Sequence, residues 1–202
     1  MKDFGFYLVI TNPVVGYARC AEAAVRAGVR IVQLRMKHAT REDILREARE
    51  MRRVTRGTDT LFIVNDDPAL AAEAEADGVH VGQDDMSPAE VRAKFPQLKV
   101  VGLSTHNLDQ VRASWDQPID YIGVGPGYAT PTKDIPDPTL GPVLAGRMIA
   151  AARVPAVAIG GINAETLPPV LAAGARNFAV VRAVCQSPDP YSAIRKLVEI
   201  HA

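Results

Sequence analysis

Gln33, Arg35 and Lys37 occupy alternate positions at the end of the apolar run Val29-Arg30-Ile31-Val32-Gln33-Leu34-Arg35-Met36-Lys37. An extended chain puts every second side chain on one face, so an amide, a guanidinium and an ammonium would stand together. That trio suits an anion with several oxygens, because arginine offers a fixed fork of donors and lysine a mobile point charge. The same alternation would equally serve an edge strand with a solvated polar face. Two acidic clusters bear on the choice. Asn65-Asp66-Asp67 directly follows Leu61-Phe62-Ile63-Val64, and Asp84-Asp85 follows Gly78-Val79-His80-Val81-Gly82-Gln83. Carboxylates from neighbouring strand ends can hold one hard cation; Mg2+ uses one or two, and water and phosphate oxygens complete its shell. Asp and Asn also favour turns and helix caps. Asp67, just before Pro68, is the better cap, which leaves Asp66 and Asp85 as the metal pair.

Two glycine-bearing strings extend the pattern. Gly125-Pro126-Gly127-Tyr128-Ala129-Thr130-Pro131-Thr132-Lys133 carries hydroxyls and an ammonium on a loop that could fold over a phosphate and exclude water. Read otherwise, it is a flexible turn with a surface lysine. In Ile159-Gly160-Gly161-Ile162-Asn163-Ala164, paired glycines let backbone N–H groups approach an anion closely, and a following helix N-terminus adds a favourable dipole. Val180-Val181-Arg182 would complete such a phosphate site. Ser104 ends another apolar run, where it could bond a ligand or cap the helix near Asn107. His80 projects opposite to Val79 and Val81 and reads as a hydrogen-bonded interior histidine rather than a catalyst, while His106 lies near a helix start. Met36, Met51, Met86 and Met148 read as packing. No Cys/His metal motif, serine-hydrolase elbow, Walker loop or dinucleotide fingerprint occurs, which removes zinc, nucleotide hydrolysis and redox cofactors as first choices.

The elements that must position these groups are short aliphatic runs recurring roughly every 20–30 residues, the spacing of strands alternating with helices. The expected strands are Phe6–Ile10, Arg30–Arg35, Leu61–Asn65, Gly78–Val81, Lys99–Ser104, Tyr121–Gly125, Ala156–Gly160 and Phe178–Arg182. The expected helices are Ala18–Ala27, Arg41–Thr55, Pro68–Ala76, Pro88–Lys94, Leu108–Ser114, Pro142–Ala152, Ala164–Ala173 and Pro190–Ile200. Ser87-Pro88 and Asp189-Pro190 each supply an N-cap followed by an N1 proline. Eight strands alternating with eight helices is the count of a (β/α)8 TIM barrel, an α/β fold, here one domain over residues 1–202. An open doubly wound sheet gathers its ligand chemistry at one switch point. Polar residues here follow strands two to seven, which favours the barrel.

The chain has 202 residues, enough for one sizeable core, with 48% hydrophobic and 23% charged residues. Lys+Arg and Asp+Glu both number 23, so no net field favours nucleic acid or an anionic membrane. Cys20 and Cys185 lack a short-range partner and read as free packing thiols in a reducing compartment. Phe6–Thr11 is too short for a signal or membrane segment. The expectation is a soluble cytoplasmic protein with no nucleic-acid or membrane partner; a homo-oligomer stays open.

Together these segments resemble the thiamine-phosphate synthase family over essentially the whole chain. Gln33-Leu34-Arg35-Met36-Lys37 matches the family's Q-x-R-x-K, and Phe62-Ile63-Val64-Asn65-Asp66-Asp67 its third-strand signature. Gly78 to Asp85, Gly102-Leu103-Ser104, Gly125-Pro126 with Thr130-Pro131-Thr132-Lys133, and Ile159-Gly160-Gly161-Ile162 match the rest in order. The resemblance implies condensation of a pyrimidine-methyl diphosphate with a thiazole phosphate, giving thiamine phosphate and pyrophosphate. It implies that Gln33, Arg35, Lys37, Asn65 and Lys133 hold the diphosphate and pyrimidine, and that Asp66 and Asp85 bind Mg2+. It further implies that Ser104 contacts the amino side of the pyrimidine. Thr130, Thr132 and the backbone of Gly161, Val181 and Arg182 would hold the thiazole phosphate. Arg35, Lys37, Lys133 and Ser104 would be the catalytic side chains of an Mg-dependent transferase. Arg182 departs from the small serine often found there, which leaves its side-chain role open.

Three other functions could use parts of this residue set. A thiazole tautomerase on the same fold needs the phosphate pocket but not the diphosphate clamp. A silent thiamine-phosphate-binding protein would have no use for a metal and leaving-group apparatus. A sugar-phosphate barrel enzyme would account for Gly160-Gly161 but not for both acidic clusters.

Overall fold

In the computed structural model, which describes residues 2–130 and 138–201, eight parallel strands close on themselves. They are β1 (Phe6–Ile10), β2 (Ile31–Leu34), β3 (Leu61–Asn65), β4 (Gly78–Val81), β5 (Val100–Thr105), β6 (Tyr121–Val124), β7 (Ala156–Ala158) and β8 (Asn177–Val180). Each pairs with its neighbour in sequence, and β1 pairs with β8 to complete the (β/α)8 barrel. The helices outside are α1 (Tyr17–Arg26), α2 (Arg41–Thr55), α3 (Pro68–Glu73), α4 (Pro88–Lys94), α5 (Leu108–Ala113), α6 (Gly141–Ala151), α7 (Leu167–Ala172), α8 (Arg182–Cys185) and α9 (Pro190–His201).

Strands enclosed on both faces need apolar residues in nearly every position. Leu8, Val32, Val64, Val79, Leu103, Ile122 and Phe178 point outward into the layer shared with the helices. Tyr7, Val9, Ile31, Ile63, Val100, Tyr121, Val157 and Ala179 fill the barrel interior. One small inward position makes room for two large neighbours: a Cβ at Gly102 would lie 2.2 Å from Tyr121 Cζ and 2.6 Å from His80 Nδ1. No helix among the described residues is long and apolar enough to cross a membrane.

Most caps fall where the sequence put them. Ser87 and Glu90 form a reciprocal capping box, Asp67 accepts from Leu70 N at 2.8 Å, and Asp189 accepts from Ser192 N at 3.1 Å. Three expectations are corrected. Gln33, Arg35 and Lys37 do not share one strand face, because β2 ends at Leu34. Arg35 N still donates to Ile10 O, but the chain then bends away and reaches φ 64° at His38. Arg182 is not in β8; it opens the single turn α8, too short for a periodicity argument to detect. Helix α7 starts at Leu167 rather than Ala164, because the Asn163 side chain accepts from Glu165 N and Thr166 N and holds a turn there. The Cys20 and Cys185 thiols, far apart in sequence, are both buried and adjacent, and Cys185 Sγ donates to Val9 O at 3.5 Å.

The face at the N-terminal ends of the strands is closed by one device used twice. Asp77 N donates to Phe62 O while Asp77 Oδ2 accepts from Phe62 N at 2.8 Å and pairs with Arg52 at 3.1 Å. Asp120 N donates to Val101 O while its Oδ2 accepts from Val101 N at 2.8 Å and pairs with Arg92 at 2.6 Å. In each case a carboxylate ties the start of one strand to the strand immediately before it, and an arginine meets its charge. We expect Asp120→Ala to lower the unfolding free energy by about 2–3 kcal/mol, because it strands a backbone donor and a half-buried guanidinium. Asp109→Ala, which removes only the exposed pair with Arg112, should change it by about 0.5 kcal/mol or less. Urea denaturation of the two variants measures both.

Candidate active site

A cavity of about 460 Å3 opens among the C-terminal strand ends. It brings together Gln33, Arg35, Asn65, Ser104, Thr130, Gly161, Val181 and Arg182. Lys37, Asp66 and Asp85 do not line this cavity; they stand beside it, just beyond the ends of β2, β3 and β4. Thr132 and Lys133 lie outside the described residues.

The rim beside the cavity, just past the ends of β2 to β4, is charged. Lys37 Nζ lies 2.5 Å from Asp66 Oδ2. Asp66 adopts φ 64°, a conformation that Asp tolerates better than most residues, and its N–H donates to His80 O at 2.8 Å. Asp85 Oδ2 accepts from Gly82 N at 2.7 Å, and the Asp85 carboxyl stands beside that of Asp66. Partial loss of solvent, followed by the neighbouring charge of Asp66, pushes the Asp85 carboxyl above the ordinary aspartate range; the Gly82 N–H and Lys37 oppose this. Two carboxylates in contact disfavour their joint ionisation, which a divalent cation would relieve. Among the described residues no cluster of three or more Asp, Glu, His or Cys forms a ready metal cage. A pair of acids nevertheless fits Mg2+, which draws its other oxygens from water and phosphate.

The opposite wall is backbone. Gly160 and Gly161 have φ of 100° and 66°, and a Cβ at Gly161 would lie 2.7 Å from Tyr128 Cβ. Only glycine fits that left-handed turn at this separation. Thr166 Oγ1 donates to Gly161 O at 2.9 Å and fixes the turn from behind. Val181 and Arg182 bring the first turn of α8 to the same side of the cavity.

Between the walls lies a floor that sequence reading only partly anticipated. Gln33 is buried, and its Nε2 donates to Tyr7 Oη at 2.8 Å. The Tyr7 and Tyr121 hydroxyls are 2.9 Å apart, and Tyr121 Oη lies 3.0 Å from His80 Nδ1. His80 Nε2 then meets Ser104 Oγ at 2.9 Å, so His80 is the hydrogen-bonded interior histidine expected from its alternation. Ser104 does not cap α5, since Asn107 does so by accepting from Gln110 N. Burial drives Tyr7 well above the ordinary phenol range against its bonds to Tyr121 and Gln33. Burial and the adjacent Tyr7 do the same for Tyr121. Tyr7, Tyr121 and His106, which bonds Gly125 O through Nδ1 at 2.7 Å, were not singled out from sequence as lining residues. The available signal was the inward alternation of Tyr7 with Val9, and of Tyr121 with Gly123.

A family model described as thiamine monophosphate synthase matches residues 6–184. The thiamine-phosphate synthase of Archaeoglobus fulgidus is 36% identical over 99% of this chain and 95% of its own length. That of Synechococcus sp. (strain WH7803) is 44% identical over 89% of this chain but 50% of its own length, so the chain spans about half of that relative. Among solved structures, thiamine phosphate pyrophosphorylase from Pyrococcus furiosus superposes with a TM-score of 0.88 at 27% identity, covering 98% of this chain and 96% of that one.

The buried phenols give a pH dependence of defined sign. Folded Tyr7 and Tyr121 keep protons that the unfolded chain releases near the ordinary value of about 10. The folded state therefore binds more protons above that pH, and its stability falls as pH rises past about 10. Tyr7→Phe and Tyr121→Phe should flatten this decline. In an alkaline titration, the tyrosinate absorbance lost in each variant should be the part that rises together with loss of circular dichroism.

Proposed function

Because the chain belongs to the thiamine monophosphate synthase family, we propose that it joins a pyrimidine-methyl diphosphate to a thiazole phosphate, forming thiamine phosphate and pyrophosphate. One observation supports this reading beyond family membership: a single cavity has Arg35 and Asn65 at one side, with the Lys37, Asp66 and Asp85 charges beside it, a glycine turn at the other, and a hydrogen-bonding floor between them. Two phosphorylated heterocycles need such a site, with an anion held at each end and the reacting rings in the middle. The cavity volume is within the range of about 300–1,000 Å3 usual for small-molecule sites.

Breaking the bond between the pyrimidine methylene carbon and the diphosphate oxygen leaves the electron pair on pyrophosphate and positive charge on the pyrimidine. The thiazole nitrogen then donates its lone pair to that carbon. No protein nucleophile is required. The protein's task is to neutralise the leaving group, align the nitrogen with the carbon and exclude water. In this reading Arg35 and Lys37 meet the leaving oxygens, Asn65 orients the diphosphate, and Lys133 is assigned to the same charge from its sequence position. Asp66 and Asp85 would hold Mg2+, which supplies further charge neutralisation on pyrophosphate when bound. The N–H groups of Gly161, Val181 and Arg182, with Thr130 and Thr132, would receive the thiazole phosphate. Neighbouring unjoined thiols suit a reducing compartment such as the cytoplasm.

With both substrates and Mg2+, thiamine phosphate and pyrophosphate should appear in equal amounts. Isomerisation of a thiazole carboxylate without condensation would overturn the proposal. Asp85→Ala should lower Mg2+-supported turnover about a hundredfold, the scale for losing a group that stabilises developing charge. An equal wild-type rate in chelator would remove the metal from the reaction. Arg35→Lys, which keeps charge but loses the fork, should raise KM for the pyrimidine diphosphate about tenfold in steady-state kinetics.

A further inference from the structure

The floor of the cavity is one unbroken chain of side-chain hydrogen bonds, Gln33 to Tyr7 to Tyr121 to His80 to Ser104. Only one of its links has an intrinsic direction. An amide nitrogen donates and does not accept, so Gln33 Nε2 gives a hydrogen to Tyr7 Oη. Tyr7 has one hydroxyl proton, and the phenol it faces is Tyr121, so Tyr7 donates onward at 2.9 Å. Tyr121 in turn gives its single proton to His80 Nδ1. A neutral imidazole that accepts at Nδ1 carries its proton on Nε2, and Nε2 faces Ser104 Oγ at 2.9 Å. Ser104 therefore accepts from below and keeps its own proton to offer to the cavity it lines.

Packing holds each member in place. The His80 and Tyr121 rings stack with centroids 5.4 Å apart, and Tyr7 meets Tyr121 edge to face at 5.7 Å. Gly102 leaves the space these rings occupy. The strong upward shifts of both phenols keep their protons available at ordinary pH.

We propose that Gln33, Tyr7, Tyr121 and His80 are positioning residues that set Ser104 as a hydrogen-bond donor to the ligand, so the site selects a heterocycle that turns a ring nitrogen toward Ser104 rather than its amino group. An amino group conjugated to the ring is a donor; it could use only the second lone pair of Ser104 Oγ and would leave the Ser104 proton without an acceptor. The identity of the ring rests on the pyrimidine reading above; the direction of the chain does not.

Nitrogen-15 NMR of the ligand-free wild-type protein reads that direction, with the His80 signal among the four histidines identified by its loss in His80→Gln. A proton on Nε2 with an acceptor-type Nδ1 is expected, and Tyr121→Phe should shift the Nδ1 signal as its donor is removed. A proton on Nδ1 would overturn the relay whatever ligand binds, because the reversed chain makes Ser104 give its proton to His80. Calorimetry reads the selection. Ser104→Ala should weaken pyrimidine diphosphate binding about tenfold, the scale of one lost hydrogen bond. That penalty should vanish for one of the two analogues with CH in place of a ring nitrogen and persist for the analogue lacking the amino group. Its disappearance with the desamino analogue instead would overturn the ring-nitrogen assignment. Failure of wild-type protein with an Nε2 proton to bind the pyrimidine diphosphate would overturn that assignment through the functional reading, leaving a result distinct from a reversed relay.

Discussion

Closing a parallel sheet into a barrel gives every strand an outward and an inward side, with two residues per repeat and no edge on which to escape that division. The outward residues have no choice but to be apolar, since helices cover them. The inward residues near the strand starts are also apolar, as with Ile31, Ile63 and Val100. Toward the strand ends the inward positions pass to Gln33, Asn65, His80 and Ser104. The barrel register aligns Asn65 with His80, His80 with Gly102 and Gly102 with Tyr121. That level is where the packed interior gives way to a hydrogen-bonding floor. A glycine sits between two rings there because a side chain would collide with both.

Carboxylates at the two ends of the barrel do different work because they meet different partners. At the strand starts, Asp77 and Asp120 each find a backbone N–H and an arginine, so their charge is satisfied and they serve the fold. At the strand ends, Asp85 finds Asp66, and among the described residues Lys37 and a backbone N–H offset the shared charge. An unresolved carboxylate contact beside a cavity is where a cation adds most. Overall neutrality of the chain is no obstacle, since the field that matters is set within a few ångströms.

The strand–helix alternation was legible because strands buried on both faces must read as aliphatic runs, and because Ser87, Asp67 and Asp189 announce helix starts through their caps. The anion-binding glycines were legible for a similar local reason, since Gly160 and Gly161 mark a turn that other residues would strain. Arg182 was misplaced because one helical turn leaves no periodic trace. Lys37 was placed on a strand because alternation continues past Leu34, whereas the strand stops where its pairing partner does.

Sequence alone determined the barrel, the residues at its strand ends and the separation of acidic, glycine-rich and basic groups among them. These follow from period-two and helical patterning, from turn chemistry and from motif order, all of which act over a few neighbouring residues. Tertiary structure alone decided that Gln33 faces down to Tyr7 rather than outward, that Lys37 meets Asp66, and that Tyr121 and His80 join Gln33 to Ser104. Those contacts join residues 24 to 41 positions apart, carried by different strands of the barrel. They depend on register and on the space left at Gly102, which no local pattern encodes.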